Sequence, residues 1–302
     1  MDVLVTGASG FIGSALVSAL EGDGHRVGRL TRSDNAGPDT LRWDPAAGRI
    51  DAAGLEGFGA VVHLAGAGIG DKRWTSDRKR VIRDSRTQGT LLLAGALAGL
   101  RTKPAVLVSA SAVGYYGPRD EEELTEDSRP GDDFLAGVCV AWEQSAAPAA
   151  EAGIRVVTIR SGVVLSPGGG VLERMVLPFK LGLGGRLGTG KQYMSWISLD
   201  DEVGAILHLL GHDGVSGPVN LTAPNPVTNS EYTKTLGAVV GRPTAIPTPI
   251  TPLKLRYGSE LVHFLLLTGQ RVLPNRLEAS GYQFGHDRLE PALRELLGKP
   301  AA

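Results

Sequence analysis

The chain has 302 residues, with 31 Lys and Arg against 32 Asp and Glu, a formal net charge of −1 and a single cysteine. This balance argues against a protein whose affinity is mainly for nucleic acid or an anionic membrane, because such binding needs a clustered cationic excess. One cysteine excludes an intramolecular disulfide and a cysteine-based zinc cage. The 42 glycines lie in a composition that is 42% hydrophobic and 21% charged. This composition is typical of a globular protein rich in turns.

Neither a secretory signal nor a membrane helix is indicated. Met1 and Asp2 lead directly into the apolar residues 3–5, without the segments that form a signal peptide. The low-polarity stretches at 91–100 and 261–267 are shorter than the ~20 residues that a membrane helix needs. We therefore expect a soluble, cytoplasmic protein. The six histidines show no paired ligand spacing, so no metal is predicted.

The first 165 residues alternate short β-branched runs with longer helical patterns. Strands are predicted at 2–6, 26–31, 60–65, 105–110 and 155–159. Helices are predicted at 11–21, 76–100 and 134–152. This alternation requires parallel strands joined by right-handed crossovers. The sequence thus predicts an α/β fold with a doubly wound parallel sheet.

The second half of the chain differs in composition, with nine glycines from 162 to 190 and seven prolines from 218 to 252. Glycines 168–170 and 182–190 are interpreted as loops near the substrate. Further helices are predicted at 201–210, 230–240 and 253–267. We expect a cofactor-binding domain over residues 1–165 and a smaller substrate lobe over 166–302, some of whose segments return to the first domain.

The segment Thr6-Gly7-Ala8-Ser9-Gly10-Phe11-Ile12-Gly13 lies between the first predicted strand and the first predicted helix. Gly7 permits a tight turn, Gly10 lets the backbone approach a pyrophosphate, and Gly13 allows close helix-to-sheet packing. The free N–H groups of the helix N-terminus attract an anion. The segment therefore predicts a pyrophosphate site formed by Gly7, Ser9, Gly10, Phe11, Ile12 and Gly13.

The second predicted strand ends in Thr31 and Arg32, where an NAD-binding protein carries an acidic residue for the ribose hydroxyl. An arginine suits a 2′-phosphate, so NADP(H) is the expected cofactor. Asp34 nearby keeps NAD open as an alternative.

Three further groups are predicted on the cofactor side. Leu64, Ala65 and Gly66 close the third predicted strand, and the small residues among them let a nucleoside pass close to the backbone. Arg86 lies on the helix behind, and Arg160 ends the fifth predicted strand. Arg86 is predicted to contribute charge toward the cofactor, and Arg160 to meet either the cofactor or an acidic substrate.

Longer sequence motifs indicate a protein family more specifically than the three glycines do. TGASGFIG, HLAG, SASAVGYYG, LTEDS and VVTIRSGVVL resemble the extended short-chain dehydrogenase/reductase superfamily. RWTSDRKRVIRDSRTQGT, CVAWE, PFKLGLGGRLGTGKQYMSWI, NPVTNSEY and LLLTGQRVLPNRL resemble its atypical branch, the epimerase family proteins. The resemblance covers essentially the whole chain. It implies a Rossmann-like domain, bound NADP(H) and a C-terminal module of unknown role from about residue 250, but no particular substrate.

The superfamily uses a tyrosine as general acid/base, a lysine four residues later and a serine that orients the substrate oxygen. On the predicted helix 134–152 these first two positions hold Cys139 and Glu143, so the usual pair is absent. Ser111 matches the serine, or Ser109 does if the register differs.

Tyr115 and Tyr116 follow Ser111 by four and five positions, and Ser111, Tyr115, Tyr116 and Glu143 are the candidate catalytic residues. The alternative for Glu143 is that it is only a partner for a ribose hydroxyl or an arginine. The alternative for the tyrosines is that they only cover the pocket. Cys139 is interpreted as a small buried hydrophobe, because a neighbouring carboxylate raises a thiol's pKa.

Two functions remain open from the sequence. One is an NADP(H)-dependent oxidoreductase or epimerase-like enzyme acting on a small polar carbonyl or hydroxyl substrate. The other is a non-catalytic NADP(H)-binding redox sensor, suggested by the missing tyrosine and lysine. Nucleic acid and membrane partners are not expected, and the sequence does not indicate the oligomeric state.

Overall fold

The first half of the chain alternates strands and helices. In this computed structural model, which describes residues 1–33, 37 and 39–300, its strands are β1 (Asp2–Thr6), β2 (Arg26–Thr31), β3 (Thr40–Asp44), β4 (Arg49–Ile50), β5 (Ala60–His63), β6 (Val106–Ala112), β7 (Glu123–Leu124), β8 (Arg155–Ser161) and β9 (Val163–Ser166). Its helices are α1 (Phe11–Gly22), α2 (Ser76–Ala98), α3 (Phe134–Gln144) and α4 (Ala147–Glu151).

The second half is mainly helical. Its helices are α5 (Gly170–Lys180), α6 (Leu199–Gly211), α7 (Asn229–Val240), α8 (Ile250–Tyr257), α9 (Ser259–Val262), α10 (Asn275–Ala279) and α11 (Leu289–Leu296), with a π-helical turn at His263–Leu267. Its strands are β10 (Tyr193–Met194), β11 (Trp196–Ser198), β12 (Gly217–Leu221), β13 (Val227–Thr228) and β14 (Arg271–Val272). No described helix is long and apolar enough to cross a membrane.

The central sheet of the described residues has eight strands in the order β12-β8-β6-β5-β1-β2-β3-β4. Every neighbouring pair is parallel except β3 with β4. The chain runs from β1 outward to β2 and β3, then returns to β5 on the other side of β1. This reversal opens a crevice at the carboxyl ends of β1 and β5, where such folds bind ligands. The predicted doubly wound α/β fold is confirmed.

The strands bury side chains on both faces, as parallel strands do. Val3 and Val5 face a core shared with α1 and α6, whereas Leu4 faces one shared with α2 and α4. Helices therefore cover the sheet on both sides. This packing leaves the carboxyl ends of the strands as the part of the sheet that the helices do not cover.

Part of the second half returns to this sheet. β12 pairs with β8 at the edge, and α6 packs against α1. A separate core joins α5, α7 and α11 around Trp196 and Tyr232.

Two predicted helices are interrupted, which corrects the sequence interpretation. Residues 134–152 form α3 and α4, because Pro148 can enter only the first turn of a helix and a new helix starts there. Residues 253–267 form α8, α9 and the π-helical turn, because Gly258 has a φ of 90° that no helix allows. Glycines 168–170, which were interpreted as a loop, form a short turn that leads from β9 into α5. The helix α5 itself was not predicted.

The chain after α8 bridges the two halves of the molecule. Glu260 pairs with Lys79 on α2, and Phe264 stacks on Trp74 with ring centroids 6.4 Å apart. The carbonyl of Leu266 accepts a hydrogen bond from Gln192 of the second half. This segment therefore fastens the smaller lobe to the loop that follows β5.

Candidate active site

The glycine-rich turn between β1 and α1 has a geometry that side chains would prevent. Gly7 has a φ of 70°, and a Cβ on Gly13 would lie 2.1 Å from the Gly7 carbonyl oxygen. The Gly10 N–H donates to that same carbonyl at 2.9 Å. Gly10 is the N-cap residue that precedes α1, and no described side chain caps the helix there. The first N–H groups of the helix are thus available to an anion.

A cleft of about 1130 Å³ opens above this turn. It is lined by eight of the predicted cofactor residues, namely Gly7, Ser9, Gly10, Thr31, Arg32, Leu64, Ala65 and Gly66. It is also lined by residues that the sequence analysis missed, among them Arg29, Trp43, Asp44, Arg80, Asp84 and Gln88. Trp43 and Asp44 belong to β3, a short strand whose pattern gave no signal.

Arg32 follows directly after β2 and lines one end of the cleft. Its side chain is exposed and forms no hydrogen bond or ion pair with the described part of the chain. Thr31 beside it accepts a hydrogen bond from the Ser33 N–H at 3.2 Å. Asp34, the alternative partner for a ribose, lies outside the described residues. The glycine turn, the uncapped helix and this guanidinium together fit a dinucleotide with a 2′-phosphate.

The loop after β5 is held by a buried polar network. The Thr6 hydroxyl accepts the N–H groups of Leu64 and Ala65, each at 3.2 Å, and lies 2.6 Å from Nδ1 of His63. Since Thr6 already accepts two protons, its own proton goes to Nδ1. His63 therefore carries its proton on Nε2 and donates it to Thr90, 2.9 Å away.

Arg86 lies behind this loop and not among the residues that line the cleft. Its guanidinium donates to the carbonyls of Ala67 and Ile82 at 2.9 and 3.0 Å and lies 4.9 Å from the ring of Trp142. Burial lowers its pKa. This placement favours a role in supporting the loop.

Three of the residues predicted to form the pyrophosphate site also lie outside the cleft lining. Ile12 packs against the main core, and Gly13 closes the contact between α1 and the turn. The Phe11 ring packs against the turn after β9, where a Cβ on Gly169 would lie 2.5 Å from it. Their contribution is to the shape of the turn, with only backbone left to meet a ligand.

At the carboxyl end of β6, Ser111 is tied to a buried ion pair. Its hydroxyl donates to Oε1 of Glu143 at 2.7 Å. Arg160 binds both oxygens of that carboxylate at 2.8 Å in a two-pronged contact. The Arg160 side chain is 3% exposed and its pKa is raised by this pairing despite burial. The two-pronged contact fixes the Glu143 carboxylate, which in turn fixes the Ser111 hydroxyl.

All three nitrogens of Arg160 donate within the protein. Besides Glu143, they bind the Tyr116 hydroxyl at 3.0 Å and the Glu126 carbonyl at 3.3 Å. This geometry favours a supporting role for Arg160 over the predicted contact with the cofactor.

The two tyrosines that follow β6 have different environments. Tyr116 is 0% exposed, and its hydroxyl donates to Asn220 at 2.6 Å while accepting from Arg160. Burial raises its pKa to about 12. Tyr115 is half-buried, its ring lies 3.4 Å from the Arg160 guanidinium carbon, and its hydroxyl has no hydrogen-bond partner among the described residues. Only Tyr115 therefore offers a phenol for proton transfer.

Cys139, which the sequence analysis aligned with the superfamily's tyrosine, lies on α3. It is 5% exposed, and burial together with the Glu143 carboxylate raises the pKa of its thiol to about 12. A thiol of this kind remains protonated at neutral pH and is a poor nucleophile. The prediction of a small buried hydrophobe is confirmed. Ser109, the alternative to Ser111, is 2% exposed and lies two residues earlier in β6, farther from the carboxyl end of the strand.

This geometry agrees with what comparisons of the sequence show. The NAD dependent epimerase/dehydratase family matches residues 3–221, and a domain of unknown function matches residues 248–296. An epimerase family protein of Mycobacterium bovis is 45% identical, over 99% of this chain and 98% of that protein. The chain belongs to the NAD dependent epimerase/dehydratase family.

Solved structures of family members extend the likeness to the whole fold. The crystal structure of human epimerase family protein SDR39U1 with NADPH has a TM-score of 0.90 and 39% sequence identity, and 99% of each chain is covered. A nucleoside-diphosphate sugar epimerase from Corynebacterium glutamicum has a TM-score of 0.82 and 37% identity, over 99% of this chain and 58% of that one.

Proposed function

We propose that this protein is an NADP(H)-dependent oxidoreductase of the epimerase/dehydratase family that acts on a small polar carbonyl or hydroxyl substrate. The cluster of Ser111, Glu143, Arg160 and Tyr115 at the carboxyl edge of β6 and β8 carries the proposal, because Arg160 contacts both the carboxylate that fixes a hydroxyl and the ring of an unpartnered phenol.

The cofactor assignment rests on the cleft. Gly7, Ser9 and Gly10 would hold the pyrophosphate, Thr31 and Arg32 the phosphorylated ribose, and the backbone at 64–66 would lie against the nucleoside. The human relative of 39% identity was solved with NADPH, which supports this choice over NADH. When bound, the cofactor supplies or accepts a hydride at the nicotinamide ring.

The hydrogen bonds assign different tasks to the two hydroxyl groups. Ser111 donates its proton to the Glu143 carboxylate, so the serine oxygen can only accept a hydrogen bond from the substrate. A carbonyl oxygen needs a donor, and the Tyr115 phenol is the group that can supply one. Glu143 and Arg160 act as positioning residues, since Glu143 holds Ser111 and Arg160 holds Glu143 and stacks on Tyr115.

Substitution of the two tyrosines tests this assignment. NADPH oxidation is measured across a panel of small carbonyl compounds with wild type, Tyr115→Phe, Tyr116→Phe and Ser111→Ala. We expect Tyr115→Phe to lower kcat about 10²- to 10⁴-fold with NADPH affinity unchanged. Ser111→Ala lowers kcat as well.

Tyr116→Phe is the matched comparison because it removes the same atom from a buried hydroxyl. It leaves Asn220 and Arg160 short of one partner, so we expect a loss of stability of about 1 to 3 kcal/mol with kcat changed much less. Full activity of Tyr115→Phe would overturn the catalytic assignment. NADPH binding without turnover of any substrate in the panel would favour the redox sensor.

A further inference from the structure

Glu202 is a buried acid that the proposed reaction does not use. It lies in the first turn of α6 and is 0% exposed. Its Oε1 lies 2.5 Å from the Ser161 hydroxyl, while Oε2 has no hydrogen-bond partner among the described residues. An unmatched buried carboxyl oxygen carries a desolvation penalty, so its presence calls for an explanation.

Ser161 places this carboxyl next to the working edge of the sheet. It is the last residue of β8, is half-buried, and is paired in register with Ala112 of β6 and Leu221 of β12. Side chains alternate along a strand. Arg160 faces Glu143 and α3, whereas Ser161 faces Glu202 and α6.

The described cleft does not include Ser161, so its place relative to the cofactor is inferred from the order of the strands. The pyrophosphate turn lies at β1, and the described cleft continues from there toward Arg32 at the end of β2. In such folds a dinucleotide extends across the strand-order reversal, so its nicotinamide half is expected over β5, β6 and β8. Ser161 ends β8 on that side of the reversal.

Few charged groups face Glu202. On its own helix, Asp200 is exposed, and Asp201 accepts the N–H groups of Gly285 and His286. Tyr282 packs over α6 and its hydroxyl binds Asp201. The strands β6 and β9 contribute no charged residue, Arg160 faces the other side, and on α1 the only charged residue, Glu21, pairs with Arg29. No described cation pairs with Glu202.

Burial raises the pKa of the Glu202 carboxyl to about 8. Below that pH the acid is uncharged and donates its proton to the Ser161 oxygen, which frees the serine proton to point outward. Above that pH Ser161 donates to the carboxylate and offers only lone pairs outward. The charge of Glu202 thus decides whether Ser161 presents a donor or an acceptor.

We propose that Glu202 and Ser161 form a positioning pair for the nicotinamide half of the cofactor. The uncharged Glu202 turns the Ser161 hydroxyl outward as a donor to the carboxamide oxygen of the nicotinamide. This inference rests on the proposed cofactor. It makes Glu202 a positioning residue that acts through Ser161.

The test is the NADPH dissociation constant measured by fluorescence from about pH 6 to about pH 9. For wild type we expect affinity to fall about threefold to tenfold as Glu202 ionises, the effect of one hydrogen bond. Glu202→Gln keeps an uncharged donor toward Ser161, so it binds as wild type does at low pH and loses this pH dependence. Ser161→Ala binds weakly at every pH.

Asp200→Asn, two positions earlier and exposed, is the matched control and keeps the wild-type profile. A fall in affinity that persists in Glu202→Gln overturns the inference, as does wild-type affinity in Ser161→Ala. A flat wild-type profile overturns the inference alone. No NADPH binding by wild type at any pH overturns the proposed function and this inference together.

A second readout needs no cofactor. Infrared difference spectra between wild type and Glu202→Gln should show the carbonyl band of a protonated carboxyl at neutral pH, lost as the pH passes about 8. Absence of that band at neutral pH contradicts an uncharged Glu202. Circular dichroism of each variant establishes that it is folded.

Discussion

At the scale of single residues, His63 links the loop at 64–65 to the core. It is 0% exposed and bound by Thr6 and Thr90, and burial lowers its pKa to about 4 from an ordinary 6.5. The fold therefore favours the neutral ring. Its contribution to stability is fully present above the unfolded pKa and is lost as the pH falls through about 4.

This predicts a steep loss of stability in acid. Between about pH 6.5 and pH 4 the His63 contribution to the free energy of unfolding should fall by about 3 kcal/mol, measured by urea unfolding at each pH. His63→Gln removes that part of the slope. His263→Gln, at an exposed histidine, is the control and leaves the slope unchanged. Equal slopes in wild type and His63→Gln contradict the prediction.

The sequence identified the chemistry-bearing residues but not their partners. Ser111 and Tyr115 follow a recognisable strand, so their place at the sheet edge was predictable. Tyr116 binds Asn220, which is 104 positions away, and no local pattern distinguishes that asparagine from others on a strand. Which tyrosine remains available thus depends on tertiary contacts alone.

At the scale of elements, the turn between β1 and α1 depends on the absence of a side chain at Gly13. Gly13→Ala places a methyl group 2.1 Å from the Gly7 carbonyl oxygen, so the turn must move. We expect a loss of about 1 to 3 kcal/mol in stability and at least a tenfold loss in NADPH affinity. Calorimetry and cofactor titration measure the two effects.

Gly22 provides the comparison on the same helix. A Cβ there meets no atom within 4 Å. Gly22→Ala should leave NADPH affinity unchanged and stability equal or higher by up to about 1 kcal/mol. An equal loss of affinity in both variants contradicts the role given to the turn.

Elements with strong patterns were predicted more accurately than short ones. The strands 2–6 and 26–31 were predicted with their observed ends, because apolar β-branched runs are bounded there by turn residues. The helix predicted at 134–152 crosses a break at Pro148, since apolar periodicity continues on both sides of it. β3 and β4 are short and lack alternation, so the cleft wall that Trp43 forms was missed.

At the scale of the whole molecule, two regions distant in sequence complete the site. The first half provides the cofactor cleft and the Ser111 cluster. The second half provides β12 and α6, and with them Asn220 behind Tyr116 and Glu202 behind Ser161. Composition and charge indicated none of this assembly, because it depends on which segments return to the sheet.

The most direct measurement is titration of the wild-type protein and Arg32→Ala with NADPH and NADH. The proposed site predicts that wild type binds NADPH at least tenfold more tightly than NADH, and that Arg32→Ala removes this preference by weakening NADPH alone. Equal affinity of wild type for the two cofactors, or an unchanged preference in Arg32→Ala, would contradict it.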